Sequence, residues 1–455
     1  MKTLFSITVA TSVAALSFFS FFKKDTETPK AAFMTNIAKK NKAAKTVVTT
    51  QQIIDLANAF KATLSSSQIA TLELAYTYAN AKTWSNLPAA MSPRIGLKMG
   101  TLTTAQLTAA RNLIQALSGT GNEGYNEIYG LWMADNYLSN NGGGTTYGEG
   151  NFYIGFFGTP SLSGTFEIQM TGHHRTVSNT YINGILVGAT PSFVAAEPFA
   201  SFTYNSATYQ PMIEEKTALV NMLSGLSSAQ LTTAQLSTTY TDLVCGPGKD
   251  WLFPTTKSGL KVSNLTTAQK QLVYNAIATY VNDVDDTNAA TIMTKYNNEL
   301  DNTYIAWSTD ATLSNQNGYV RIDGPSVWIE YSVQNGIILT PKHPHSIWRD
   351  HTTDYGGTGN TLSTDETNTS ISKPMIYPNP VKDFATFNFT ASEKGNTKIN
   401  IYDQSARLVK SIEKNNLPKG QNSVSADLSS LEKGVYTFNI QHNGTKTSGQ
   451  KLIKK

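Results

Sequence analysis

Cysteine is all but missing from this chain: Cys245 stands alone among 455 residues. A lone internal thiol excludes an intrachain disulfide, a lipid anchor on cysteine and a paired-cysteine metal or redox site. Stability must then come from packing or bound ions. Charge is scarce too, at 15% of residues, and residues 101–250 hold four basic side chains against ten acidic ones. A mildly acidic centre excludes nucleic-acid binding along a phosphate backbone. Several signatures are also missing: there is no Gly-x-Ser-x-Gly elbow, no His-Glu-x-x-His helix and no Walker loop. The glycines of NGGGTTYGEG (Asn141–Gly150) are followed by no lysine or helix start, so this segment reads as a loop and not a phosphate cradle. NDVDDTNAATIM, from Asn282, lacks the glycine and final glutamate of a calcium loop, and Cys245 reads as a small buried residue.

What is present points to a folded, exported protein. Hydrophobic residues make up 40% and aromatics 10% of a chain too long for one core, so two or three domains are expected. Residues 1–24 read as a signal peptide: Lys2 precedes the weakly polar to apolar run Leu4–Phe22. No small-x-small cleavage site stands out, and the run is also long enough for an uncleaved anchor. No other segment could span, so no stable membrane span is expected after signal removal. Residues 25–48 are Lys-, Ala- and Thr-rich without apolar periodicity and form a spacer.

From residue 49 a helix-start device recurs. LSSSQ at Leu64, LTTAQ at Leu102, Leu231 and Leu265, and LSSAQ at Leu226 each place a hydroxyl three residues before Gln, which is the capping-box spacing. Their separations share no period, so no solenoid is expected. Between them NFYIGFF, TFEIQMTG and TYINGILVG alternate or run apolar, with Asn183-Gly184 as a hairpin turn. A second block, GYVRIDGPSVWIEYSVQNGIILTPKHPHS, has Asn335-Gly336 in the same role. Residues 49–355 are therefore expected to be α+β, helical segments with an antiparallel β-hairpin core. Residues 356–374 are Gly-, Ser-, Thr- and Asn-rich and read as a linker. Short strands with frequent turns over 375–455 predict a small all-β, immunoglobulin-like sandwich.

That last segment resembles the type A C-terminal sorting domain of type IX secretion cargo. The resemblance rests on Tyr377, Pro378, Asn379 and Pro380, on Ile401, Tyr402 and Asp403, on Arg407, Leu408 and Val409, on Leu431, Gly434, Val435 and Tyr436, and on the basic end Lys451–Lys455. It departs at Gln404-Ser405-Ala406, where the family commonly has a turn glycine. The resemblance implies the type IX secretion machinery as partner and an extracellular or outer cell-surface location.

Five of the six histidines fall in two short segments, TGHHRTV (Thr171–Val177) and PKHPHSIWRDH (Pro341–His351). With TPSFVAAEP and DGPSVWIEYSVQ, these segments resemble the bacterial DUF3500 family, a domain of unknown function, over roughly 51–355. The resemblance implies no reaction. A two-residue turn at Asn335-Gly336 would pair Gln334 with Ile337 and Glu330 with Pro341, so Glu330, His343 and His345 would share one face. His-x-His with a nearby carboxylate suits zinc, copper, manganese or iron. On a regular strand His173 and His174 point oppositely, and parity from Phe166, Ile168 and Met170 favours His173 as the polar-face ligand.

Two readings follow. In one, a metal-dependent hydrolase holds an ion on His173 or His174 with His343 and His345, Glu330 or Asp350 is the base, and Arg175 or Arg349 grips an anionic group. In the other, a non-catalytic surface protein uses the cluster to bind an unknown small-molecule or polymer ligand, or to scaffold a loop. The linker carries few groups to pack. Limited proteolysis is expected to cut first within 356–374, and first cleavage between Ser65 and Thr340 would refute the division.

Overall fold

The computed structural model describes residues 47–357, 374–391, 393–403, 407–443, 445–446 and 450–455. The expected signal peptide at 1–24, the expected spacer up to residue 46 and the expected linker over 358–373 lie outside the described residues.

Helices begin where the capping spacing places them. At Thr49, Ser65, Thr103, Ser227 and Thr266 the hydroxyl accepts from the amide of the third residue, and that residue's Gln side chain accepts from the cap amide. Each cap contributes about 1 kcal/mol. Thr49 follows Val48, outside the Leu-led pattern. The Leu231 segment starts no helix: Thr232 lies inside Ser228–Ala234 and returns its hydroxyl to Ser228 O at 3.0 Å, because Ser227 has already opened that helix.

The central region runs twice through one series of elements. Helices Thr50–Ala62 and Ser66–Leu72 lead through β1 (Glu73–Leu74) and β2 (Leu97–Lys98) to helices Thr104–Leu117 and Tyr125–Leu138. Strands β3 (Tyr153–Phe157), β4 (Thr165–Gly172), β5 (Arg175–Ile182), β6 (Ile185–Gly188) and β7 (Ser192–Ala195) follow. After the small hairpin of β8 (Phe202–Tyr204) and β9 (Ala207–Tyr209), the series restarts with helices Ile213–Ser224 and Ser228–Ala234. It continues through β10 (Leu260–Lys261), helices Thr267–Val281 and Asp286–Glu299, and strands β11 (Tyr304–Ser308), β12 (Tyr319–Asp323), β13 (Val327–Gln334) and β14 (His343–Asp350).

The twelve-stranded sheet is laid out on this repeat, in the order β1-β3-β4-β5-β7-β14-β13-β12-β11-β10, with β2 on β3 and β6 on β5. β7 and β14 meet antiparallel in the middle, Ala195 opposite His345, and relate the halves by a pseudo-twofold axis. The sequence keeps a trace of the duplication in GLKMGTLTTAQ (Gly96–Gln106) and GLKVSNLTTAQ (Gly259–Gln269). The opening glycines, at φ 97° and 108°, are both required. A Cβ there would stand 2.4 Å from Ile154 O or from Ile305 O.

The two faces of the sheet are covered differently. Phe156, Ile168, Val194, Ile329 and Trp348 pack under helices, against residues such as Trp132, Leu113, Ile277 and Tyr296. Their sequence neighbours Phe157, Phe193 and Ile347 point the other way, toward Ala81, Trp84, Leu243 and Tyr355 in connecting segments. This loop-covered face also buries polar groups, including Glu167, Gln169, Arg321, Glu330 and Arg349. The C-terminal region is all-β: β15 (Met375–Tyr377), β16 (Phe384–Ala391) and β19 (Gly420–Asp427) form one sheet. β17 (Gly395–Tyr402), β18 (Leu408–Leu417), β20 (Gly434–His442), β21 (Thr445–Lys446) and β22 (Gln450–Lys454) form the other. Between them lie Val381, Phe387, Ile399, Ile401, Phe438 and Leu452.

Glu167 shows what the polar face costs. Fully buried, it accepts from Thr180 Oγ1 at 2.9 Å and Gln169 Nε2 at 3.1 Å, and Gln169 also holds Ala81 O at 2.8 Å. Burial pushes its carboxyl from 4.5 up to about 8. The folded state therefore binds this proton more tightly, and the stability contributed is complete below pH 4.5 and lost as pH rises through about 8. Glu167→Gln is expected to flatten the fall of the urea midpoint between about pH 5 and 8; an unchanged slope would remove Glu167 as its source.

Candidate metal centre

Two departures from the expected strand pairing build the site. β4 does not run on through the histidine pair. Gly172 pairs with Arg175, so His173 and His174 are the two-residue turn of the β4–β5 hairpin. His174 takes φ 65°, a left-handed conformation that histidine adopts more readily than most side chains. Gly172 has no choice: a Cβ would stand 2.3 Å from the Phe152 ring. Strand parity therefore does not apply to the pair, and His174, not His173, faces the other cluster.

The second departure is in register. Gln334 pairs with His343 and Glu330 with Ile347, so the connection is a long loop over 335–342 and not a two-residue turn. Glu197 Oε1 accepts from the amides of Ile338 at 3.0 Å and Leu339 at 2.7 Å and holds that loop. The expected pairing would also have put Pro341 in mid-strand, where it cannot donate to the ladder. The shift is even, so Glu330, His343 and His345 keep one face, but Glu330 is carried down the strand.

His174, His343 and His345 come together across β7, with one nitrogen of each within 4.8 Å of the others. His343 Nε2 and His345 Nε2 are 3.2 Å apart. Two imidazole nitrogens bound tetrahedrally to one ion stand about 3.4 Å apart, given bonds of about 2.0–2.1 Å. His345 Nδ1 lies 3.2 Å from Asp242 Oδ1, and when it donates there, Nε2 is left with its lone pair. Burial, then the neighbouring imidazoles, hold His174 well below the ordinary histidine range and lower His343 to about 3. Both are neutral at physiological pH, the form that binds metal. His173 stacks on His174 with ring centres 3.6 Å apart, and its Nδ1 meets Asp135 Oδ1 at 2.5 Å.

The charged residues expected at the centre have other partners. Glu330 is completely buried and accepts from Val244 N at 2.6 Å, Cys245 N at 2.8 Å, Tyr319 Oη at 2.7 Å and Trp328 Nε1 at 2.9 Å. Arg349 donates from Nε to Cys245 O at 2.6 Å and from Nη1 to Asp354 at 2.8 Å. The carboxylate thus takes the amides, and the guanidinium a carbonyl, of the segment that carries Asp242 to His345. Arg175 is buried on the helix face against Asp283 at 2.7 Å. Asp350 also points to the helix side, with Lys295 at 3.0 Å and Tyr296 Oη at 2.9 Å. His351 stands apart, 3.3 Å from Asp323 and with its ring tilted against Phe253 at 4.0 Å. The sixth histidine, His442, is buried in the sandwich, beside Thr397 Oγ1 at 2.7 Å.

The family model described as a protein of unknown function (DUF3500) matches residues 46–357, and that of the secretion system C-terminal sorting domain matches 375–455. The chain belongs to the DUF3500 family. It is exported by type IX secretion to the cell surface or extracellular space. No curated protein matches it. Among solved structures, dimeric latent PorU from Porphyromonas gingivalis is similar at 17% identity over 30% of this chain and 13% of that one, with a TM-score of 0.17. No helix among the described residues is long and apolar enough to cross a membrane.

Asp135 and Asp242 escaped the sequence reading of this DUF3500 domain. The only signal for Asp135 was an acid inside the apolar helical run GLWMADNYL; Asp242, in a Thr-rich loop, had none. Glu330→Ala would orphan four donors, three of them on buried residues, and is expected to cost about 3 kcal/mol in denaturant unfolding. Unchanged stability would show that Glu330 does not hold the 242–246 segment.

Proposed function

We propose that the DUF3500 domain is a surface-delivered metal-binding module holding one transition-metal ion on His174, His343 and His345. The observation that carries this reading is the convergence of three imidazole nitrogens, two of the rings held neutral by burial. An all-nitrogen neutral set suits zinc or copper over manganese, which favours carboxylate ligands. Asp242 behind His345, and the His173–Asp135 pair stacked behind His174, orient the ligand rings.

Three protein ligands leave a position open for a substrate atom, as in catalytic zinc sites, and this favours a hydrolytic use as the second reading. Glu330 and Asp350 are engaged elsewhere, so the base would be Asp242. Its side chain is half exposed, and the His345 contact, against the opposing effect of burial, holds its carboxyl below the ordinary range. We further propose the division into signal peptide 1–24, spacer 25–48, DUF3500 domain 49–355, linker 356–374 and sorting domain 375–455; the two family matches support the DUF3500 and sorting-domain segments of it.

Elemental analysis of the purified full-length chain after metal-replete expression tests the reading. About one zinc or copper per chain is expected, falling at least tenfold in His174→Ala and His345→Ala with the circular dichroism spectrum retained. Asp242→Asn is expected to weaken binding roughly 10- to 100-fold. Metal-free wild-type protein would eliminate the site. Ester or peptide hydrolysis that follows metal content would establish the second reading, and its loss in Asp242→Asn at wild-type metal occupancy would identify Asp242 as the base.

A further inference from the structure

We propose that the secretion machinery recognises the sorting domain through a composite surface, the exposed rings of Tyr377 and Phe384 beside the basic strand β22. The occupant is a machinery component that presents an apolar cleft rimmed by carboxylates.

The sandwich has a well-filled interior, yet Tyr377 is 76% and Phe384 60% exposed. Register explains how they meet. Tyr377 pairs with Thr386, and Phe384, two residues before Thr386 on β16, projects from the same outward face. Ala385, Phe387 and Phe389 alternate inward into the core, so the outward aromatics are not forced out by the strand's own packing. Exposed aromatic rings are the side chains that contribute most at recognition surfaces.

The same stretch fixes the basic strand beside them. Asn379 Nδ2 donates to Lys451 O, and Asn379 Oδ1 accepts from Ile453 N, both at 2.9 Å. Val381 N donates to Ile453 O, and Lys455 N to Val381 O, both at 2.8 Å. The edge of β22 is thereby sealed by residues 379–381. Strand addition at that edge is blocked, and recognition falls to side chains. Within Tyr377-Pro378-Asn379-Pro380 the roles are split: Asn379 turns inward to lock the C-terminal strand, and Tyr377 turns outward. Lys382, two residues before Phe384, is exposed, and Lys451 and Lys455 are exposed at β22, the strand bonded to residues 379–381. Residues 375–455 carry twelve Lys and Arg against six Asp and Glu, and this charge selects an acidic partner.

The test uses the full-length chain in a bacterium that possesses type IX secretion, with surface and periplasmic fractions quantified by immunoblot. Tyr377→Ser with Phe384→Ser is expected to lower the surface fraction roughly tenfold and leave the thermal unfolding of the sorting domain unchanged. Lys451→Glu with Lys455→Glu is expected to reduce delivery as well. Leu408→Ser, at a 51% exposed position on β18, which β17 and β20 separate from β22, is expected to be delivered normally. Wild-type delivery of the double aromatic variant would overturn the surface. An equal loss from Leu408→Ser would overturn its location, and normal delivery of the charge-reversed chain would overturn the acidic partner.

Discussion

Four residue pairs between β7 and β14 hold the centre of this protein, from Ser192 opposite Trp348 to Ala195 opposite His345. Each half of the duplicated region is a curved set of strands with helices on one face, and this seam makes one sheet of the two. Its side chains serve both faces at once: Val194 and Trp348 enter the helix-side core, while Phe193, Ala195 and Ile347 pack against the loops. The candidate metal centre is a product of the seam. His174 comes from the first half, His343 and His345 come from the second, and Ala195 N donates to His174 O at 2.9 Å to hold the turn at the joint. The equivalent turn of the second half, Gly324 to Ser326, contains no histidine, so the pseudo-symmetry yields one centre and not two.

Around the seam the loop-covered face is built on buried charge. Glu330 and Arg349 sit on adjacent strands and bind opposite poles of the same backbone segment, amides to the carboxylate and a carbonyl to the guanidinium. Burying each charge is expensive, and the arrangement is stable only because both Glu330 oxygens and all three Arg349 nitrogens find partners. Such a clamp contributes precision more than stability: it fixes where Asp242 stands, and through it the His345 ring. Glu330 thus acts on the site without touching it.

Export and chemistry are divided along the chain. The sorting domain has its own core and its own histidine, satisfied by Thr397, and none of its described residues belongs to the candidate centre. Its basic balance contrasts with the acidic centre of the DUF3500 domain.

Much of this was legible in sequence because it depends on local physics. Capping boxes at Ser65, Thr103, Ser227 and Thr266 announced their helices, since a cap is satisfied within four residues. Asn183-Gly184 announced its hairpin, and the clustering of His174, His343 and His345 in two segments announced a shared polar site. The duplication was legible as well, in the two GLK…LTTAQ segments, although a search for a short fixed period passes over a two-copy repeat. Tertiary structure alone decided the rest. Which histidine faced the site depended on the hairpin turning at His173 and His174, with His174 in the left-handed region. The β13–β14 register depended on Glu197, from the bend that follows β7, holding the loop. The role of Glu330 depended on a segment some 85 residues away arriving with two free amides. Alternation along a strand fixes the face a residue occupies, but what it meets there is set by contacts distant in sequence, and no local pattern encodes them.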